Sequence, residues 1–161
     1  MGTSGHIATA TSVHHIGLSV ANLEDALAFW EGFLGVPARW RTLLDRPYLG
    51  QHVGYPGVTI RAAFIDLPGG NTLELLDYQL PHKRALVAVT AQPGHVHFCL
   101  AVADAHAAWT HAIACGAQPV APDGPVLIDA GPNIGAEVAY LRIHDGITLE
   151  VYQSPPPKDP S

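Results

Sequence analysis

Between residues 13 and 20 aliphatic side chains take every second position: Ile16, Leu18 and Val20 share one parity, and His15, Gly17 and Ser19 the other. A period of two marks a strand with one buried face. At Asn22 the period lengthens. Leu23, Ala26, Leu27, Trp30 and Leu34 fall on one side of a helix, a stripe that faces a core. Asn22 can cap this helix, Glu24 and Asp25 sit at the positive end of its dipole, and Gly35 followed by Pro37 supplies the stop. Strands are then predicted over residues 38–44, 58–67 and 72–78, the last two joined by a turn at Pro68-Gly69-Gly70-Asn71.

The plan then returns. A strand over 95–102 carries Phe98, Leu100 and Val102 on its aliphatic side, Asp104 caps a helix through Ala108, Trp109 and Ala112, and Gly116 ends it. Strands over 117–121, 135–143 and 147–153 follow, with a turn at His144-Asp145-Gly146. A shift of 82 places superposes His15 on His97, Leu18 on Leu100, Val20 on Val102 and Asn22 on Asp104. A shift of 76 superposes Gly70 on Gly146, Thr72 on Thr148, Leu73 on Leu149 and Glu74 on Glu150. The chain reads as one domain over 12–153 made of a duplicated unit, about 12–78 and 95–153, joined by 79–94, with 1–11 and 154–161 as flexible ends.

Composition acts mainly by exclusion. With 161 residues, 48% hydrophobic and 14% charged, the chain has a globular core rather than a disordered composition. A net charge of -6 and eight Lys and Arg without a run argue against a nucleic-acid or anionic-membrane partner. No apolar stretch is long enough to span a bilayer, and the start Met-Gly-Thr-Ser-Gly lacks the features of a signal peptide, so a cytoplasmic location is expected. Cys99 and Cys115 lack metal-type spacing and are expected to be reduced and structural.

Parity turns the repeat into candidate chemistry. His15, Glu74, His97 and Glu150 all fall on the strand faces opposite the aliphatic side chains that pack under the helices. A lone His or Glu on a strand is ordinarily solvated or hydrogen-bonded for structural reasons. Packing alone does not require the same His and the same Glu to recur, and two imidazoles with two carboxylates suit one borderline divalent ion. Of the other histidines, His14 has the wrong parity, and His82, His106 and His111 lie in loop or helix contexts. The segment from Asp45 to Pro56, rich in Gly, Pro and Tyr, is predicted as a loop over the site, with Tyr48, Tyr55, Tyr78 and Tyr152 as aromatic lining. His52, Tyr78, Cys99 and Tyr152 are the candidate pocket residues, and His95 stays open as one.

Three segments resemble the vicinal oxygen chelate superfamily, which includes glyoxalase I, methylmalonyl-CoA epimerase and the extradiol dioxygenases. They are His14 to Val20 (HHIGLSV), Ala28 to Val36 (AFWEGFLGV) and Tyr140 to Glu150 (YLRIHDGITLE). The resemblance covers about residues 12–153. It implies an α+β fold in which two tandem βαβββ modules form an open eight-stranded barrel-like cleft around the metal. Its ligand positions match His15, Glu74, His97 and Glu150. It further implies one divalent ion (Zn, Ni, Co, Mn or Fe), a small-molecule carbonyl substrate such as a thioester or hemithioacetal, and a homodimer. The cleft then lies either within one chain or between exchanged modules of two.

Ligand count separates the chemistries of this superfamily. A two-His, one-carboxylate iron site leaves positions free for oxygen and substrate. A second carboxylate fills one of them and neutralises the dication, which favours Lewis-acid proton abstraction beside a carbonyl, with Glu150 or Glu74 as base. The expected function is a metal-dependent lyase or isomerase of the glyoxalase or epimerase type. The alternatives are an extradiol Fe(II) dioxygenase and a non-catalytic antibiotic-binding resistance protein. Methylmalonyl-CoA epimerases carry an additional Glu near the second or third strand, whereas residues 45–65 contain none, and His52 is the nearest replacement. A glutathione site needs cations, for which Arg39, Arg41, Arg46 and Arg61 are available unless they are ordinary surface charge.

Overall fold

In the computed structural model, which describes residues 12–81, 83 and 90–157, the first unit begins with β1 (Ile16–Ser19) and α1 (Leu23–Leu34). The predicted cap is in place: Asn22 Oδ1 accepts the N–H groups of Glu24 and Asp25 at 2.9 and 3.4 Å, and Gly35 ends the helix at φ 70°. β2 (Trp40–Leu44), a short α2 (Leu49–Val53), β3 (Ile60–Asp66) and β4 (Thr72–Tyr78) complete the unit. Its sheet has the order β1-β4-β3-β2, with β1 and β4 parallel and the other pairs antiparallel.

The second unit comprises β5 (His97–Ala101), α3 (Ala105–Ala114), β6 (Gln118–Pro119), β7 (Val126–Leu127), β8 (Glu137–Arg142) and β9 (Thr148–Gln153). Its sheet runs β5-β9-β8-β6, with β7 also pairing β8. The fold is α+β. Each sheet with its helix is one βαβββ module and one open half of a barrel-like cleft. Among the described residues no helix is long and apolar enough to cross a membrane.

Three local features differ from expectation. The segment predicted as a loop contains α2, because Leu49 and Val53, one turn apart, cover Val58 and the β3 residues Ile60 and Ala62. Gly50 permits this approach, since a Cβ there would lie 2.9 Å from Pro56 Cα. The strand predicted over 117–121 shortens to Gln118–Pro119, where Pro119 has no N–H to give the ladder. β7 was not foreseen because Pro122, Gly124 and Pro125 just before it read as turn signals. Of the predicted ends and the 79–94 junction, residues 1–11, 82, 84–89 and 158–161 lie outside the described residues, His82 among them.

One continuous core joins the two units. Leu73, Leu75, Ala63 and Ile65 contribute from the first sheet, and Leu141, Leu149 and Val151 from the second. Trp30 lies at its centre, fully buried, edge-on to Phe29 at 5.5 Å and to Phe98 at 5.3 Å. Its Nε1 has no partner among the described residues. An orphan donor costs about 1–3 kcal/mol, less than the ~3–5 kcal/mol lost when a buried Trp is cut to Ala, so packing of the ring decides the net effect. The helices also meet each other: Phe33 stacks on His111, whose Nε2 lies 3.1 Å from Gly32 O.

His144, in the β8–β9 turn, is packed into this junction. Its ring lies against Phe29 and Trp30, Nδ1 is 3.1 Å from Asp145 Oδ2, and Nε2 has no partner among the described residues. Asp145 Oδ2 also accepts the Ala21 N–H at 3.2 Å, tying the second unit's turn to the first unit's β1–α1 corner. Burial lowers the His144 pKa, partly opposed by Asp145 and Asp25. Below about pH 6.5 the unfolded chain therefore binds a proton that the folded chain resists, so stability falls as pH drops. Urea unfolding should show a lower midpoint at about pH 5.5 than at about pH 7.5, with a shallower dependence in His144→Gln. An unchanged dependence would assign the pH response to other histidines.

Candidate functional site

Each sheet turns its helix-facing residues into the common core, leaving the opposite face open. On β4, Leu73 and Leu75 are fully buried, while Glu74 looks out on the other side with His15 from the approach to β1. His15 Nε2 lies 3.1 Å from Glu74 Oε2. The second unit repeats the arrangement: His97 Nε2 lies 3.0 Å from Glu150 Oε2 on β9, between buried Leu149 and Val151. Both carboxylates are 16% exposed, and the imidazoles 37% and 39%. The His15 Nδ1 lies 2.8 Å from His14 Nδ1, so the neighbouring ring helps orient it.

The structure brings His15 to Glu74 and His97 to Glu150, but not all four together within one chain. The helices and their shared core lie behind both open faces. Among the described residues no group of three or more His, Cys, Asp or Glu side chains converges. The chemistry of each pair nevertheless fits half of a divalent site. Separations of 3.1 and 3.0 Å are about the edge between adjacent ligands held ~2.1 Å from a six-coordinate ion.

Cross-strand register defines what flanks each carboxylate. Glu74 lies opposite Gly17 on β1 and Phe64 on β3, and Glu150 opposite Cys99 on β5 and Tyr140 on β8. The rings occupy equivalent places, Phe64 stacked 6.1 Å from His15 and Tyr140 tilted 5.4 Å from His97. The second half-site therefore has a thiol and a phenol where the first has a hydrogen atom and a phenyl. Burial and Glu150 raise the Tyr140 pKa, leaving its hydroxyl a hydrogen-bond donor at neutral pH.

The predicted pocket residues separate. Tyr78 shares the Glu74 face and meets Tyr55 edge-on at 6.0 Å, at the end covered by α2. Burial and the Glu74 charge raise its pKa. Tyr152 lies opposite Val138, beyond Glu150 on the second face, whereas Tyr48 and His52 are exposed around α2. His95 approaches Thr148 Oγ1 at 2.8 Å. Phe64, Tyr140 and Arg142 were not singled out from sequence, although the shift that aligns the two glutamates also places Phe64 on Tyr140.

A hollow of about 270 Å³ beside Glu150 is lined by Val120, Val126, Val138 and Tyr140. A larger one, about 400 Å³, lies among Leu23, Glu24, Arg41 and Arg61, away from both His–Glu pairs. Its charges are internally matched, with Arg41 contacting Glu24 and Glu31, and Arg61 contacting Glu24 and Asp77.

Burial, reinforced by Glu150, pushes the Cys99 thiol up to about 11. Cys99 should therefore alkylate slowly with iodoacetamide near pH 7.5, faster as pH rises, and faster in Glu150→Gln, where the repelling charge is gone. Peptide mass spectrometry reads each rate; equal rates in the two proteins would contradict the assigned cause.

A family model described as the glyoxalase/bleomycin resistance protein/dioxygenase superfamily matches residues 12–151. A 2-epi-5-epi-valiolone epimerase from an Actinomyces species is 27% identical over 156 residues, covering 95% of this chain and 85% of that protein. Among solved structures, a glyoxalase family protein from Bacillus cereus aligns with a TM-score of 0.79 at 18% identity, covering 96% of this chain and 100% of the other. Glyoxalase I from Zea mays aligns with a TM-score of 0.60 at 16% identity, covering 89% of this chain and 45% of that one.

Proposed function

The chain belongs to the glyoxalase/bleomycin resistance protein/dioxygenase superfamily, and from that premise we propose that it is a divalent-metal-dependent epimerase that moves a proton next to a carbonyl group. The observation that carries this reading is the repeated His–Glu pair, 3.1 Å in one module and 3.0 Å in the other. The full ligand set is His15 and Glu74 of one copy with His97 and Glu150 of a second. Two copies that exchange modules bring the open faces together and form two such sites.

A divalent ion held by this set would supply Lewis acidity toward a carbonyl oxygen, making the adjacent C–H more acidic. The chain's own groups do the remainder. The carboxylates enter from opposite sheets, so one accepts the proton from one face of the substrate and the other returns a proton to the opposite face, inverting the carbon. Tyr140 can donate to a substrate oxygen, while Phe64, Trp40 and the apolar hollow exclude water.

Epimerisation is favoured over glyoxalase-type chemistry by the relative named as an epimerase and by the state of the arginines. Arg39 is paired with Asp66, Arg41 with Glu24 and Glu31, and Arg61 with Glu24 and Asp77. Three of the four arginines considered for the glutathione carboxylates are thus already matched by acids of the same module, which leaves Arg46 as the remaining one of that group. The substrate class is a small polar ketone, with a polyhydroxylated cyclic ketone as the first to test.

Purified protein should hold a divalent ion by elemental analysis and exchange solvent deuterium into such a ketone without consuming oxygen. Glu74→Gln or Glu150→Gln should slow exchange by roughly 10²–10⁴-fold. His15→Ala and His97→Ala should each lose the metal, yet co-refolding them in equal amounts should restore about a quarter of the sites, because exchanged modules regenerate one intact site per mixed dimer. Full exchange by metal-free protein would overturn the metal mechanism. Absence of any recovery on mixing would overturn the shared site alone.

A further inference from the structure

Arg142 extends from β8 on the same face as Tyr140, one step along the sheet from Glu150. It is half-buried. Its Nη1 donates to Thr148 Oγ1 and, at 3.4 Å, to Gly146 O, and its Nη2 donates to Thr90 Oγ1. All three acceptors are neutral. Thr148 is fully buried between this guanidinium and His95, whose Nε2 is 2.8 Å away. Arg142 forms no ion pair among the described residues. Its Nε–H and one Nη2–H have no partner there, although guanidinium donors are suited to two-point contact with an oxyanion.

The repeat supplies an internal comparison. Moving back 76 places takes Thr148 to Thr72 and Arg142 to Asp66. In the first module Arg39 Nη2 donates to Thr72 Oγ1 at 3.4 Å, and Arg39 Nε meets Asp66 Oδ1 at 3.4 Å. Both modules thus set a guanidinium on the threonine that begins the glutamate strand. The first provides a carboxylate for the remaining donor, whereas the second has an arginine where that aspartate would be.

We propose that Arg142, with Thr90, His95 and Thr148 around it, is a subsite for an oxyanion, the phosphate or carboxylate group of the substrate. The proposal rests on the reading of His97 and Glu150 as part of the reaction centre. Arg142 pairs with Thr148, which sets it diagonal to Glu150 two residues on, and diagonal neighbours on paired strands are ~7–8 Å apart. An anion on Arg142 therefore lies within one small-molecule length of the His97–Glu150 pair. The apolar hollow occupies the other side of Tyr140, so the subsite also sets which end of a substrate points where.

The test is calorimetric titration of the full-length, metal-loaded protein with inorganic phosphate and separately with acetate; tighter binding of one identifies the phosphoryl or carboxylate form. Arg142→Met should weaken binding at least about tenfold, Arg142→Lys should recover part of it, and Arg39→Met should leave it unchanged. The Arg142 Nε–Hε resonance of the unaltered protein should shift on titration, a readout independent of how the variants fold. Metal content should be the same in Arg142→Met as in the parent. Failure of the parent to bind either anion at tens of mM would overturn the subsite, as would binding that survives Arg142→Met but disappears in His97→Ala. If no metal is present yet Arg142-dependent binding persists, the epimerase reading fails and the subsite stands.

Discussion

The arrangement depends on one piece of packing: α1 and α3 meet each other while each covers its own sheet. Phe33 and Gly32 of α1 meet His111 of α3, while Trp30, in the shared core, touches Phe29 and the β5 residue Phe98. Since the helix-facing sides of both sheets enter the same core, their opposite faces remain open. Hydrophobic burial thus determines the accessibility of the polar groups without contacting them. It also explains why two well-formed His–Glu pairs in one chain do not converge into a four-residue cluster.

The duplication provides two versions of the same local environment. In both, a glutamate stands between aliphatic residues that anchor its strand, and an imidazole reaches it from the neighbouring strand. The differences lie in the cross-strand partners. Gly17 and Phe64 make the surroundings of Glu74 less polar, while Cys99 and Tyr140 place a thiol and a hydroxyl near Glu150. Arg39 with Asp66, and Arg142 with the neutral Thr148 and Thr90, continue this contrast along the sheets. A reaction that uses two carboxylates need not use them identically, and these neighbours supply the chemical means of distinguishing them.

Much of the fold was legible because it is written in local signals. Asn22 and Asp104 accept the N–H groups of their first helical turns as predicted, and the turns at 68–71 and 144–146 connect the expected strands. α2 was harder to read because its five residues carry little periodicity, and its stability comes from Val58, Ile60 and Ala62 beneath it. β7 was hidden by the prolines and glycine just before it. Asp77 was expected neither as a buried charge nor as a support for α1. Its carboxylate contacts Lys83 and Arg61 and accepts the Leu23 N–H at 3.4 Å, partners distant in sequence.

The sequence by itself determined the repeat, the alternating faces and the identities of the four glutamate and histidine side chains. Strand parity is a local consequence of backbone geometry, and it correctly placed each carboxylate opposite buried leucine or valine neighbours. Only the tertiary structure decided that His15 pairs with Glu74 and His97 with Glu150, and that the two pairs stand apart. Those outcomes depend on register between strands and on the direction in which the helices pack. Neither is encoded in the period of a single segment, because both are set by contacts between side chains more than 50 residues apart in the chain.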